Sequence, residues 1–532
     1  MNILLPLVLL IPTARSHGAP TRPPAEAACF ACHTEIEVLK KGGAHAKLSC
    51  AVCHAGTAEH LDDPSKRPET RMGPETCGGC HKDQLDSFGT LNLKKAARIE
   101  KSQLIERSPN PFWDKLMMGH GFTKEHNSPR SHNAMLIDHL VVDRAYGGRF
   151  QPKKGWRYVV GKGPQKAWDV LEDKHPENSE HKPFLKESAA AANPTCLQCK
   201  TQDHILRWKF MGDPDPQAKW DRTSNVVELA RTLQNGLNCF YCHDPHGAKP
   251  RIVRDGLIAA LSRPEKDTLW HKDPKATPIE VLEFRGGFRK IALLKKYDTK
   301  LQCGQCHVEY NCNPGYDAAT GEPIKFGDRR TNHFPYKDVF EMFDHYTKLG
   351  FRDFKHQLTG ALLWKAQHPE AETFWNSKHD KAGVGCADCH MPKMKNASGK
   401  TFTSHWQTSP KNYIKETCLR CHKEWSEAEA VYSIDSVKNH IRGKMRKAEF
   451  WLSALIDKFV EGQKAGVPEE ALKLAREQHQ KAHIYWEWWT AENSDGFHNP
   501  ESARESLVRS VEESKKGIKM LEEAMARPPK AP

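Results

Sequence analysis

The sequence predicts a mainly α fold whose core is only partly built from side chains and whose C-terminus is closed by long helices. Three observations carry this prediction. Sixteen of the 17 cysteines fall in eight C-x-x-C pairs spread between positions 29 and 421. The 532-residue chain is polar for its length, with 38% hydrophobic and 28% charged residues and a mean hydropathy of −0.71. Its 9% aromatic content nevertheless argues against disorder. Residues 423–532 carry no C-x-x-C pair and repeat apolar residues at helical spacing.

The pairs are Cys29/Cys32, Cys50/Cys53, Cys77/Cys80, Cys196/Cys199, Cys239/Cys242, Cys303/Cys306, Cys386/Cys389 and Cys418/Cys421. Seven are followed at once by histidine (His33, His54, His81, His243, His307, His390 and His422), and the Cys196/Cys199 pair by Lys200. C-x-x-C-H marks covalent attachment of haem c: the two thiols add to the vinyl groups and the histidine reaches the iron. Zinc knuckles, redox dithiols or a disulfide framework would not require histidine after the second cysteine seven times. The sequence therefore predicts eight haems that form much of the core and supply apolar mass that composition does not count.

The formal charge of +13 is misleading on this reading, because the two propionates of each haem cancel much of it. No nucleic-acid recognition motif accompanies the basic balance, so a nucleic-acid partner is not expected. No run of apolar residues is long enough to span a bilayer, which excludes a polytopic membrane protein. Leu4–Ile11 is a short apolar run that reads as an export signal over residues 1–19, although it lacks the usual preceding lysine or arginine. Haem attachment outside the cytoplasm agrees with residence in the periplasm.

Spacing of the pairs suggests an N-terminal three-haem region over 20–95, a catalytic region over 96–422 with five haems, and a haem-free helical region over 423–532. Trp156–Val160 is a candidate hairpin arm, and Gly161–Lys166 reads as a turn, lacking the spacing of a phosphate loop. Leu452, Leu455, Phe459 and Val460 mark one long helix that Gly466 closes. A second helix begins near Pro468 and carries His479 and His483, which are either haem ligands or core and interface histidines. A third starts with Asn499 as cap and Pro500 as first residue and runs to about Ala526. Long helices without haems suggest an interface or scaffold.

Lys200 is the informative departure. As the proximal ligand of its iron it would alter the electronics relative to imidazole and leave the opposite face for substrate. The other seven haems would each take a second histidine and carry electrons only. The last five attachment sites, with Cys303-Gly-Gln-Cys-His307-Val-Glu309-Tyr310, Lys365-Ala-Gln367-His368-Pro-Glu370 and Cys386-Ala-Asp-Cys-His390-Met-Pro-Lys393, resemble the pentahaem cytochrome c nitrite reductases. Three further sites make the chain similar to the octahaem cytochrome c nitrite reductases over about residues 25–500.

The resemblance implies a multihaem cytochrome c fold and an ammonia-forming nitrite reductase. It implies Tyr310 and His368 in the distal pocket with an upstream arginine, Arg144 first and Arg149 second. It also implies a calcium held by Glu309, the Tyr310 and Lys365 carbonyls and the Gln367 side chain, an all-oxygen set that suits a hard cation. His379 and His405 resemble distal haem ligands. His132 is a candidate from upstream, and His45, His60, His120 and His126 are candidates for the N-terminal group. Relatives that carry a thioether imply a crosslink between Tyr310 and Cys312, the one cysteine outside a pair. Long C-terminal helices in the family imply a homo-oligomer, a dimer or a hexamer. Nitrite, hydroxylamine and sulfite are the expected substrates, served by a periplasmic or membrane-associated electron donor. The competing readings are a multihaem conduit with every iron capped twice, and a same-fold enzyme acting mainly on sulfite or hydroxylamine.

The alkaline pyridine adduct of the purified protein should report eight haems per chain. A value of five would remove the three N-terminal sites from the set.

Overall fold

The computed structural model describes residues 26–95, 110–120, 129–142, 150–154, 167–173, 194–311, 315–325 and 327–527. The expected signal segment, the 156–160 arm and the 161–166 turn lie outside these residues. The chain divides into two compact units, one of residues 1–72 with 246–248 and the other of 73–245 with 249–532.

Most described helices before residue 427 are short, and several are built on the cysteine pairs. Cys239–Cys242 is capped by the Asn238 side chain, Thr299–Cys303 by Asp298, and Cys386–His390 follows Gly385. In one helical turn, residues at i and i+3 share a face, so both thiols of a pair point the same way. In the N-terminal unit, Glu26–Phe30 and Thr34–Lys41 flank the first attachment histidine.

Three strands form a sheet the sequence reading did not anticipate. β1 (Arg251–Ile252), β2 (Ile279–Phe284) and β3 (Arg289–Leu294) are antiparallel, in the order β1-β3-β2. The hairpin between β2 and β3 turns through Gly286 and Gly287, whose φ values of 63° and 82° favour glycine. β3 is almost wholly buried, so it lacks the alternation that marks a half-buried strand. Phe150–Pro152 also pairs with Leu171–Asp173, on either side of the segment expected to form an arm.

Four longer helices follow: α1 (Val339–Leu349), α2 (Glu427–Lys464), α3 (Glu469–Ala491) and α4 (Pro500–Ala526). Ser426 and Glu429 form a reciprocal cap at the start of α2. Gly466, at φ 74°, turns the chain after α2, and the Asn499 side chain accepts from Ser502 N to start α4. The core of this bundle contains Leu452, Leu455, Ile456 and Phe459 from α2, Trp486, Trp488 and Trp489 from α3, and Leu507 and Leu521 from α4. Small residues bring α4 close to its neighbours. Ser506 Oγ donates to Tyr485 O at 2.8 Å and Ser510 Oγ to Ala482 O at 2.7 Å. A Cβ on Gly517 would stand 2.8 Å from Leu455 Cδ1. Among the described residues, no helix is long and apolar enough to cross a membrane.

Trp486 is fully buried and donates from Nε1 to Glu449 Oε1 at 3.2 Å. Trp486→Ala should cost about 3–5 kcal/mol, seen as a lower thermal midpoint in far-UV circular dichroism. An unchanged midpoint would show that the three-helix packing is not a stability determinant.

Candidate active site

Two thiols of different attachment pairs lie within hydrogen-bonding reach at several places. Cys50 meets Cys29 in the N-terminal unit. In the larger unit Cys239 meets Cys77, Cys199 meets Cys306, and Cys303 meets Cys386. Groups attached at these pairs would therefore be neighbours.

The attachment cysteines differ in how far polypeptide alone covers them. Cys196 and Cys199 are buried, but Cys32, Cys80 and Cys421, the second cysteines of the first, third and last pairs, are exposed. Cys32 lies just past the helix Glu26–Phe30, Cys80 just past Pro74–Gly78, and Cys421 just past the turn Cys418–Arg420. Their first partners Cys29, Cys77 and Cys418 are half-buried. Haem attachment at Cys32, Cys80 and Cys421 is carried by their motifs and not by their burial.

The histidines are spaced to match. His33 faces His60 with ring centroids 6.2 Å apart, and His54 faces His246 at 6.5 Å. In the larger unit His132 and His307 are 6.0 Å apart, His243 and His405 6.4 Å, and His390 and His498 6.2 Å. Two imidazoles that each put a nitrogen about 2 Å from a shared metal leave about this spacing. His379 lies close enough to His422 for that ring to disfavour charge on His379. The structure thus sets His60, His132, His379 and His405 near attachment histidines. His246 and His498 were missed: His246 sits three residues beyond an attachment histidine and His498 just before the α4 cap, and neither carries a sequence signal. His120 is placed elsewhere. Its Nε2 is 2.7 Å from Glu487 Oε1, and Glu487 Oε2 is 2.7 Å from His483 Nε2. His479 bonds Thr359, with His356 beside it, so His479 and His483 belong to this buried polar cluster. His45 lies in the N-terminal unit, and His126 lies outside the described residues.

Lys200 is 2% exposed and follows the short helix Pro194–Leu197, its N–H donating to Leu197 O at 2.9 Å. Removing a lysine this far from water is costly unless its amine has a partner. Cys199 beside it feels the charges of Arg254 and His368. Tyr310 is 2% exposed, and the guanidinium of Arg254 lies 5.2 Å from its ring centre and 5.1 Å from that of Phe334. Tyr310, His368 and Arg254 therefore converge on the Cys199–Lys200 segment. Arg254 was missed because nothing in Ile252-Val-Arg254-Asp marks a pocket residue. Its backbone N–H donates to Gln305 Oε1 at 3.3 Å, within the Cys303–Cys306 motif, while its Nε and Nη2 have no hydrogen-bond partner among the described residues. Beside it, burial raises the Asp255 carboxyl, but Arg289 and Arg254 outweigh this and bring it down to about 2. Arg144, Arg149 and Cys312 lie outside the described residues.

Behind the pocket, Glu309 is fully buried. Its Oε1 accepts from Tyr346 Oη at 2.7 Å and its Oε2 from Gln367 N at 2.7 Å. Glu372 accepts from Glu309 N at 3.0 Å, and Asp353 accepts from Lys365 N at 2.8 Å. Burial raises all three carboxyls, and Asp353 and Glu372 raise Glu309 further. Asp353 Oδ1 and Glu372 Oε2 have no hydrogen-bond partner among the described residues. Three buried acids with oxygens to spare, beside the Lys365–Gln367 segment, fit a hard divalent cation. The aligned thiols and facing imidazoles likewise fit haem.

Glu370 joins the pocket to the neighbouring attachment site. Its Oε2 is 3.2 Å from His307 Nδ1 and its Oε1 4.0 Å from His368 Nδ1. Ligand atoms of these three side chains lie within 4.8 Å of one another. Burial raises the Glu370 carboxyl, but His307 and His368 prevail and hold it well below the usual range.

A family model described as cytochrome c552 matches residues 168–530. The "cytochrome c nitrite reductase subunit NrfA" of Nitratidesulfovibrio vulgaris is 28% identical over 464 residues, spanning 82% of this chain and 73% of the relative. A "cytochrome c-552" of Parabacteroides distasonis is 26% identical over 409 residues, spanning 75% of this chain and 66% of the relative. The solved catalytic subunit NrfA of the Desulfovibrio desulfuricans cytochrome c nitrite reductase, which has two calcium sites, aligns with a TM-score of 0.59 and 23% identity. That alignment covers 86% of this chain and 89% of the other, and shows a shared multihaem fold.

The acid cluster has a testable pH signature. The Asp353 carboxyl is raised to about 7, so without a cation the folded state holds its proton more tightly than the unfolded chain. That contribution to stability is lost as pH rises from about 4 to about 7. Stripping divalent ions should therefore lower the thermal midpoint more at pH 8 than at pH 5, and calcium should restore it. Glu309→Gln should shrink the difference; an equal effect at both pH values would reject a cation at this cluster.

Proposed function

The chain belongs to the cytochrome c552 family, and on that premise we propose that it is an octahaem, periplasmic nitrite reductase that forms ammonium. The observation that carries this reading is the convergence of Tyr310, His368 and Arg254 on the buried Cys196–Lys200 segment. When bound, the haems would relay electrons, and the iron on Lys200 would take nitrite by its nitrogen.

The residues around that site then have separate tasks. Arg254 gives the pocket the positive charge that attracts a small oxyanion, the role that the resemblance assigns to Arg144. His368 holds and polarises a nitrite oxygen and delivers a proton as the N–O bond breaks and water leaves. Reduction to ammonium consumes six electrons and eight protons, so repeated delivery matters more than a single transfer. Tyr310 donates from its phenol to partly reduced nitrogen species. A thioether from Cys312 to its ring, whose formation needs a two-electron oxidant to take the two hydrogens, would fix the ring and lower the phenol pKa. Glu309, with the Tyr310 and Lys365 carbonyls and the Gln367 side chain, would hold calcium, Asp353 and Glu372 adding charge to the site, and this would fix the segment that carries His368. Hydroxylamine and sulfite fit the same pocket as small lone-pair donors.

The electron donor is a periplasmic or membrane-associated partner. Assembly as at least a homodimer through residues 423–526 agrees with the outward Tyr432 and Phe450 on α2, which are 75% and 53% exposed. A monomer by light scattering at micromolar concentration would reject it.

The oxidised protein should show one high-spin haem that shifts on adding nitrite or cyanide; its absence would favour a conduit with every iron capped. Comparison of kcat/KM for nitrite, hydroxylamine and sulfite then identifies the preferred substrate. Lys200→His should keep all eight haems yet lower nitrite turnover. His368→Ala should lower kcat by about a hundredfold or more with a smaller change in KM. Wild-type turnover in either variant would remove that residue from its assigned role.

A further inference from the structure

Glu370 is a buried acid shared between an attachment motif and the pocket. On one side its Oε2 stands 3.2 Å from His307 Nδ1. His307 presents its ring to His132 across 6.0 Å. With Nδ1 turned toward the carboxylate, Nε2 is left for iron. On the other side, Oε1 lies 4.0 Å from His368 Nδ1, and the His307 and His368 rings meet edge to face at 5.9 Å. Asn493, two residues past the end of α3, fixes the carboxylate. Its N–H donates to Oε1 at 3.2 Å, its Nδ2 also donates to Oε1, and Nδ2 is 3.5 Å from His368 Nδ1.

A carboxylate that accepts the free N–H of a metal-bound imidazole makes that ligand more basic. A more basic ligand stabilises ferric over ferrous iron and lowers the reduction potential. Other ligand candidates are backed differently. His390 Nδ1 meets the Thr408 carbonyl at 2.8 Å and His54 Nδ1 meets Thr70 Oγ1 at 3.2 Å. His498 has a buried acid of its own, with Nδ1 2.5 Å from Glu492 Oε1. The Glu370 arrangement differs from that pair because its second oxygen faces the pocket. Cys306, on the same attachment motif as His307, meets Cys199 of the Lys200 motif, so this group would be the immediate neighbour of the reactive one.

We propose that Glu370 is a positioning residue that lowers the potential of the haem attached at Cys303 and Cys306 and, through its other oxygen, orients His368. This rests on the proposed reading of His307 as an iron ligand. One carboxylate would then make the neighbouring haem a stronger donor to the Lys200 site and set the group that delivers protons there.

The test is a potentiometric titration of fully haem-loaded protein, followed by visible and EPR spectroscopy. Haem stoichiometry and the high-spin signal of the wild type, measured on the same sample, report separately on the underlying function. Glu370→Gln keeps the shape and removes the charge. It should raise the midpoint of one low-spin haem by about a tenfold change in its reduction equilibrium, roughly 59 mV for one electron, and leave the others in place. Asn493→Ala removes the Nδ2 donor to Oε1, keeping the backbone N–H, and leaves the carboxylate freer to accept from His307, so it should move the same haem in the opposite direction. Midpoints equal to wild type in a fully loaded variant, or shifts of the same sign in both, would overturn the proposal whatever happens to turnover.

Discussion

The contact between thiols of different attachment motifs constrains everything around it. A haem held by two thioethers would lie where its cysteines lie, so Cys199 against Cys306 and Cys303 against Cys386 would bring successive haems together. Close approach serves electron transfer, and it also dictates the polypeptide. With part of the interior given to porphyrin, a mean hydropathy of −0.71 still permits a folded core. Helices around the motifs stay short because each needs only one turn to present two thiols and a histidine.

Charge in the interior is arranged around the pocket in two opposed groups. Arg254, Arg289 and Asp255 lie on one side, fully buried or nearly so, with Asp255 also accepting from Trp208 Nε1 and Asn332 Nδ2. Glu309, Asp353 and Glu372 lie behind the Lys365–Gln367 segment. The first group carries surplus positive charge, suited to an anionic substrate or to haem propionates. The second carries surplus negative charge that only protons or a cation can satisfy. Keeping the two apart would let the pocket attract an oxyanion while acids suited to a cation stay behind it.

Legibility in the sequence followed the chemistry. The cysteine pairs were readable because attachment fixes residue types at fixed spacing. That spacing carries no information on depth, so Cys32, Cys80 and Cys421 at the surface read the same as buried Cys199. The C-terminal helices were readable because their caps and apolar period are local, as Asn499, Pro500 and Gly466 show. Arg254, His246 and His498 were not, since each acquires its role only when distant segments fold together. The β1-β3-β2 sheet escaped notice because β3, buried on both faces, has no alternating pattern. Glu370 stood inside a quoted motif, yet its link to His307 depends on the fold closing 63 residues of chain into a 3.2 Å contact.

The haem-free C-terminal region reads from its sequence as an interface or a scaffold, but its residues also reach into the catalytic half. Glu487 of α3 accepts from Ala366 N at 3.1 Å, between the Lys365 and Gln367 positions of the acid cluster. Trp488 Nε1 donates to Thr373 Oγ1 at 3.0 Å, and Asn499 Nδ2 to Thr373 O at 3.2 Å. Just beyond α3, Asn493 holds Glu370 and His498 faces His390. A segment that only covered a surface would not need polar contacts to Ala366, Glu370 and Thr373, each costly to leave unpaired. The long helices therefore act as a rigid backing that fixes the His368 loop, and the self-association expected of their outer face would stiffen that backing further.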